Sequence, residues 1–204
     1  MTICMSDVIC VTNRKLCPGS FMEKLKEILE AAPAAVILRE KDLPEEEYEK
    51  LAAEALKLAG ETQTLCILHT FRNVAEKLHS KAIHLPMPIL RTLTEEEKAC
   101  FSILGASCHS VEEAQEAEKL GCTYITAGHV FATDCKKGLP PRGTAFLSNV
   151  CKAVSIPVYA IGGIGPENFQ MVKEAGAAGG CIMSSIMQCG QADRYLKEFE
   201  DEIS

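Results

Sequence analysis

Residues 156–186 read IPVYAIGGIGPENFQMVKEAGAAGGCIMSSI. A short apolar run at 158–161 breaks at the pair Gly162–Gly163. An amphipathic stretch opened by a proline, GPENFQMVKEAG, follows and closes at a glycine. A second apolar run at 180–183 then breaks at Ser184 and Ser185. Apolar runs this short read as strands, and the periodic stretch between them reads as a helix. The segment is one strand–helix–strand unit.

The same alternation extends outward through the chain. Strands are predicted at residues 8–12, 35–38, 65–68, 82–85, 101–105, 124–127, 158–161 and 180–183. Between them, SFMEKLKEILEAA places Phe21, Leu25, Ile28 and Leu29 on one face. PEEEYEKLAAEALKLAG opens with Pro44 and acids and closes at Gly60, with Tyr48, Leu51, Ala55 and Leu58 in step. SVEEAQEAEKLG begins with a Ser110–Glu113 capping box and ends at Gly121. A short helix is predicted at 72–78, while 86–98 is poorly patterned. Eight strands with intervening helices predict an α/β protein, a single (β/α)8 TIM barrel spanning 1–204 as one domain. A doubly wound open sheet is the second reading.

The composition excludes several classes. A net charge of −7 with no Lys/Arg stripe argues against nucleic acid as a partner. No run approaches the eighteen apolar residues of a spanning helix, so no membrane partner is expected. The start MTICMSDVICVTN lacks a signal-peptide pattern, which predicts a cytoplasmic protein. The eleven cysteines are scattered, without a C-x-x-C pair. Most sit in apolar runs (Cys10, Cys66, Cys100, Cys122, Cys181) and are expected to be reduced core thiols rather than disulfides or zinc ligands. The chain is compatible with a homo-oligomer.

In a barrel, chemistry sits where strands run into helices. His69, His84, His109 and His129 fall at or just past predicted strand ends, and only His79 is expected in a helix. No acidic residue accompanies these histidines closely enough to favour a metal site. The loops after strands 7 and 8 carry Gly162, Gly163, Ser184 and Ser185, residues suited to cradling a phosphate with bare backbone N–H groups and hydroxyls. Arg39 and Lys41 follow strand 2, and Lys136 and Lys137 follow strand 6. Cations at several strand ends of an acidic protein predict an anionic small-molecule ligand.

The stretches LREKDL, LGASCHSVEEAQEAEKLGCTYITAGHVFATDCKKG and IPVYAIGGIGPENFQMVKEAGAAGGCIMSSI resemble the thiamine phosphate synthase superfamily from about residue 8 to 186. The GHVFATDCKKG run is closest to its thiazole tautomerase (TenI-type) branch. That resemblance implies isomerisation of a carboxythiazole phosphate to its aromatic form. His129 would be the acid/base group, Arg39, Lys41, Ser107, Thr133 and Lys136 would bind substrate, and no cofactor or metal would be needed. The implied partner is a phosphorylated thiazole carboxylate. A histidine suits such a transfer because its ordinary pKa lies near neutrality.

The departures from the synthase branch matter as much. Synthases resembling this chain carry magnesium-binding aspartates after strands 3 and 4, and a Gln two residues before the strand-2 arginine. Here those positions hold Thr70, Ile89 and Ile37. Three other readings remain: an active thiamine phosphate synthase, a non-catalytic regulator, and a Cys135 nucleophile activated by Lys136.

Overall fold

The computed structural model describes residues 7–133 and 138–201. Eight parallel strands close into a barrel in chain order. They are β1 (Val8–Val11), β2 (Ala35–Leu38), β3 (Cys66–His69), β4 (Ala82–Pro86), β5 (Ile103–Cys108), β6 (Tyr124–Gly128), β7 (Val158–Ile161) and β8 (Gly179–Ile182). Pairing of Ile9 with Cys181 joins the last strand to the first. Around the barrel run α1 (Phe21–Glu30), α2 (Glu45–Thr62), α3 (Arg72–Lys77), α4 (Met87–Leu90), α5 (Glu95–Ala99), α6 (Val111–Lys119), α7 (Gly143–Ala153), α8 (Pro166–Glu174), α9 (Ser184–Gln188) and α10 (Ala192–Asp201). This is the predicted (β/α)8 architecture, and the open sheet is set aside.

Strand parity splits the apolar residues into two cores. Ile9, Ile37, Ile67, Ile103, Tyr124, Tyr159 and Cys181 fill the barrel interior. Their strand neighbours, such as Cys10, Val36, Leu68 and Ile125, face outward and pack under the helices. Both faces of each strand are therefore buried. That is why the strands read as short continuous apolar runs rather than as alternating ones.

Several expectations at the element edges are corrected. Gly60 does not end α2, which runs to Thr62 and stops where Gln63 adopts φ 58°. His79 follows α3 rather than lying in a helix, in a turn at φ 55°. The poorly patterned stretch holds α4 and α5, the latter opened by a complete Thr94–Glu97 capping box. The anticipated Ser110–Glu113 box is only half formed. Ser110 caps the Glu113 N–H at 3.1 Å, but the Glu113 carboxylate accepts from the His109 N–H at 2.6 Å. Helix α7 carried no start signal: Arg142 precedes it without a side-chain cap, and only Leu147 and Val150 are buried. Cys10, Cys66, Cys122 and Cys181 are buried as expected, whereas Cys100 is exposed at the end of α5. All nine described cysteines are free thiols.

Candidate active site

The floor of the barrel mouth is polar and fully bonded. Gly105 and Tyr124 are paired across β5 and β6, and a Cβ at Gly105 would run into the Tyr124 ring. The missing side chain lets the tyrosine lie across the barrel interior. There its hydroxyl meets His84 Nδ1 at 2.9 Å, and His84 Nε2 meets the Ser107 hydroxyl at 2.8 Å. Hydrogen-bond bookkeeping orients the chain. His84 Nδ1 is the partner the Tyr124 hydroxyl has among the described residues, so a donating Tyr124 gives its proton to Nδ1. In that arrangement His84 carries its proton on Nε2 and donates to Ser107, which leaves the Ser107 hydroxyl proton uncommitted to this chain of bonds. Burial, reinforced by Lys41, drives the His84 pKa down to about 3, which keeps the ring neutral. Burial likewise raises the Tyr124 hydroxyl well above its ordinary value.

His69 ends β3 beside this chain. Its ring stacks on His84 with centres 5.7 Å apart and planes 18° from parallel. His69 Nδ1 lies 2.6 Å from the Thr70 hydroxyl. Burial, His84 and the nearby Lys41 and Arg39 hold its pKa well below the ordinary histidine value. The two cations after β2 thus lie near enough to this ring to disfavour its protonation. Arg39 is half-buried, with its guanidinium 3.9 Å from Met183 Sδ just ahead of α9. Lys41 is more exposed. Between them Glu40, only 2% exposed, accepts the Thr12 hydroxyl at 2.8 Å, the Arg14 N–H and the Arg14 guanidinium. Thr12 in turn accepts the Arg39 N–H at 2.9 Å. The buried carboxylate is neutralised and locks the base of the arginine.

His129 follows β6 and is half-buried. Three contacts fix its backbone: the Val130 N–H donates to the Ile161 carbonyl, the Phe131 N–H to Gly162, and the Arg142 N–H to His129 itself. His109 donates from Nδ1 to the Gly128 carbonyl at 2.9 Å, just ahead of His129. His129 Nε2 lies 3.4 Å from the Leu139 carbonyl, which can only accept. In the neutral tautomer that contact favours, the lone pair is on Nδ1. Thr133 lies near the end of this loop and is half-buried. Lys136, Lys137 and Cys135 lie outside the described residues.

The structure gives the glycine pair a role that its sequence did not suggest. Gly162 and Gly163 adopt φ of 99° and 68°. A Cβ on Gly162 would strike His129, and one on Gly163 the Ala132 carbonyl. The loop after β7 is bare because the His129 segment crosses it. Asn168 braces the same loop, donating to the Gly163 carbonyl at 2.8 Å and accepting the Gly165 N–H at 3.1 Å. Ser184 and Ser185 open α9 and are half-buried, with Ser185 beside the Tyr195 hydroxyl of α10. Arg39 and Lys41 lie close enough to His69 to lower its pKa and Ser107 bonds His84, while His129, past the end of β6, lies against the glycine loop. Sequence reading missed Tyr124, Asn168 and the tethering by His109. Tyr124 could have been found from its inward parity opposite a glycine.

Among the described residues the strand-end positions do not fit a bound magnesium ion. Thr70, just past β3, and Ile89, in α4 after β4, stand where carboxylates would be needed, and both line a cavity of about 260 Å³ whose one carboxylate is Glu45. Glu40 spends its oxygens on Thr12 and Arg14. Among the described residues no three His, Cys, Asp or Glu side chains are grouped to hold a metal. No helix among them is long and apolar enough to cross a membrane.

Residues 8–186 match the TMP-TENI family, described as thiamine monophosphate synthase. A thiamine-phosphate synthase of Syntrophomonas wolfei is 34% identical over 184 residues, covering 87% of this chain and 86% of the relative. A putative thiamine-phosphate synthase 2 of Aquifex aeolicus is 34% identical over 87% of this chain and 96% of its own. Among solved structures, a thiamine phosphate pyrophosphorylase of Pyrococcus furiosus superposes with a TM-score of 0.83 at 30% identity, over 97% of this chain and 95% of that one. These relatives are named for the synthase, and none of them for a thiazole tautomerase. On names alone the synthase reading stands ahead of the tautomerase reading.

Proposed function

This chain belongs to the TMP-TENI (thiamine monophosphate synthase) family, and from that premise we propose that its barrel mouth binds a phosphorylated thiazole of thiamine phosphate synthesis. Within that chemistry we favour proton transfer, the isomerisation of a carboxythiazole phosphate to its aromatic form. The observation that carries this choice is the pair Thr70, past β3, and Ile89, in α4 past β4, at the positions where the synthase resemblance calls for magnesium carboxylates. A departing pyrophosphate would lack its main charge stabiliser there.

His129 is the acid/base group of the proposed reaction. The proton leaves the ring carbon that bears the carboxylate, and its bonding pair enters the conjugated ring. Nδ1 of His129 accepts the proton, and the imidazolium returns it at another position of the conjugated system. No atom is gained or lost. Arg39 and Lys41 offset the negative charge that develops. Ser107, oriented by Tyr124 and His84, donates to the ligand. The Gly162–Gly163 loop and the start of α9 take the phosphate.

The relatives' names favour a second reading, the synthase condensation itself. One pair of incubations separates the two. The non-aromatic carboxythiazole phosphate, followed by proton NMR in chelator, should aromatise only when the protein is present. Hydroxymethylpyrimidine pyrophosphate, thiazole phosphate and magnesium should give no thiamine phosphate above background. Product in the second tube and none in the first would establish the synthase reading instead.

A further inference from the structure

We propose that His69 is a second substrate-contacting group, presenting Nε2 to the carboxylated ring from the β3 side of the mouth while His129 moves the proton from the β6 side. The inference rests on the proton-transfer reading above, which assigns His69 no part. It starts from an imbalance in a buried residue. His69 is 4% exposed, and the one hydrogen bond of its ring joins Nδ1 and the Thr70 hydroxyl. Among the described residues Nε2 has no partner. Among the described residues no buried side-chain nitrogen or oxygen is unsatisfied, so Nε2 reaches solvent. Strand parity determines where. His69 lies two residues after Ile67, which faces the barrel interior, and its ring stacks on inward-facing His84. The solvent it reaches is the mouth.

A nearly buried imidazole with one nitrogen bonded and the other facing the cavity is built to meet a ligand. Four groups surround this ring: His84 stacked on it, the Thr70 hydroxyl on Nδ1, and Lys41 and Arg39 close enough to disfavour its protonation. With the Thr70 hydroxyl donating to Nδ1, the one ring proton resides on Nε2. His69 then meets an acceptor on the ligand as a neutral donor. It adds a directed hydrogen bond where Arg39 and Lys41 already supply the charge, and it exchanges no proton in the cycle.

Two amide replacements separate contact from support. In His69→Asn the amide can replace only the Nδ1 contact to Thr70, whereas in His69→Gln it reaches the place of Nε2. If Nε2 touches the ligand, His69→Asn should lose about 10- to 100-fold in turnover and His69→Gln should recover most of it. A purely structural role would give the opposite order, because the Thr70 contact is what Asn keeps. In parallel, the nitrogen-15 resonance of His69 Nε2 should move when the aromatic carboxythiazole phosphate saturates the wild-type protein. Wild-type turnover in His69→Asn, or an unmoved Nε2 resonance at saturating ligand, overturns the proposal. If the resonance moves but the protein catalyses no aromatisation, the contact stands and the proton-transfer reading alone fails.

Discussion

At the scale of single residues, two side chains at the mouth make separable predictions. General acid–base groups contribute about 10²- to 10⁴-fold to rate. His129→Asn should slow aromatisation by about that factor, which is roughly 3–5 kcal/mol of barrier. Affinity for the aromatic product should fall far less, because Arg39 and the glycine loop are untouched. Turnover and calorimetric titration, run on the same preparation, check the two halves of that statement. Tyr124→Phe acts on the floor instead. It strips His84 Nδ1 of its donor in a site 2% exposed, and an orphaned buried acceptor costs about 1–3 kcal/mol. Urea unfolding should register that loss. The substrate affinity should also weaken, since the Ser107 hydroxyl is no longer held in one donor orientation.

At the scale of elements, the loop after β7 is where local conformation and site geometry depend on each other. Gly163 sits at φ 68°, and a side chain there would strike the Ala132 carbonyl. Gly163→Ala is expected to cost about 1–3 kcal/mol, from the left-handed backbone and from pushing the His129 segment away. The diagnostic is that both phosphate affinity and turnover fall, although neither His129 nor Arg39 has changed. Asn168→Ala removes two hydrogen bonds from the same loop and leaves its backbone angles allowed. A milder loss, about 0.5–1.5 kcal/mol per bond, should appear in thermal unfolding. If Asn168→Ala proves more damaging than Gly163→Ala, crowding against the His129 segment is not what keeps the glycine.

At the scale of the whole molecule, the buried histidine pair ties stability to pH. His69 and His84 both have folded-state pKa values below the ordinary value of about 6.5, with burial as the chief cause. Below that pH the unfolded chain binds protons that the native barrel refuses, so stability rises with pH in this window. The contribution is fully present above about pH 6.5 and is lost as pH falls toward about 3, where His84 itself protonates. Each histidine adds up to about 1.4 kcal/mol per pH unit to the slope. The melting temperature should therefore drop between pH 6.5 and 4, and His84→Gln should flatten that slope. A slope unchanged in this variant would mean that carboxylates alone govern the acid limb.

The sequence by itself determined the barrel. Eight short apolar runs, each buried on two faces, leave their mark in adjacent residues, and so do the helices that separate them. It also marked Arg39, His129 and the Gly162–Gly163 pair as strand-end residues, because where a strand stops is a local property. Only the tertiary structure decided what those residues do to one another. Nothing near Gly162 in the chain says that His129 occupies the space of its missing side chain. Nothing near His84 says that Tyr124, forty residues later, fixes its tautomer. The same holds for His69, whose buried ring and open nitrogen exist only because β3 and β4 lie side by side with their histidines paired. Burial, hydrogen-bond partners and pKa belong to contacts across the barrel, and those contacts join residues that the chain itself keeps far apart.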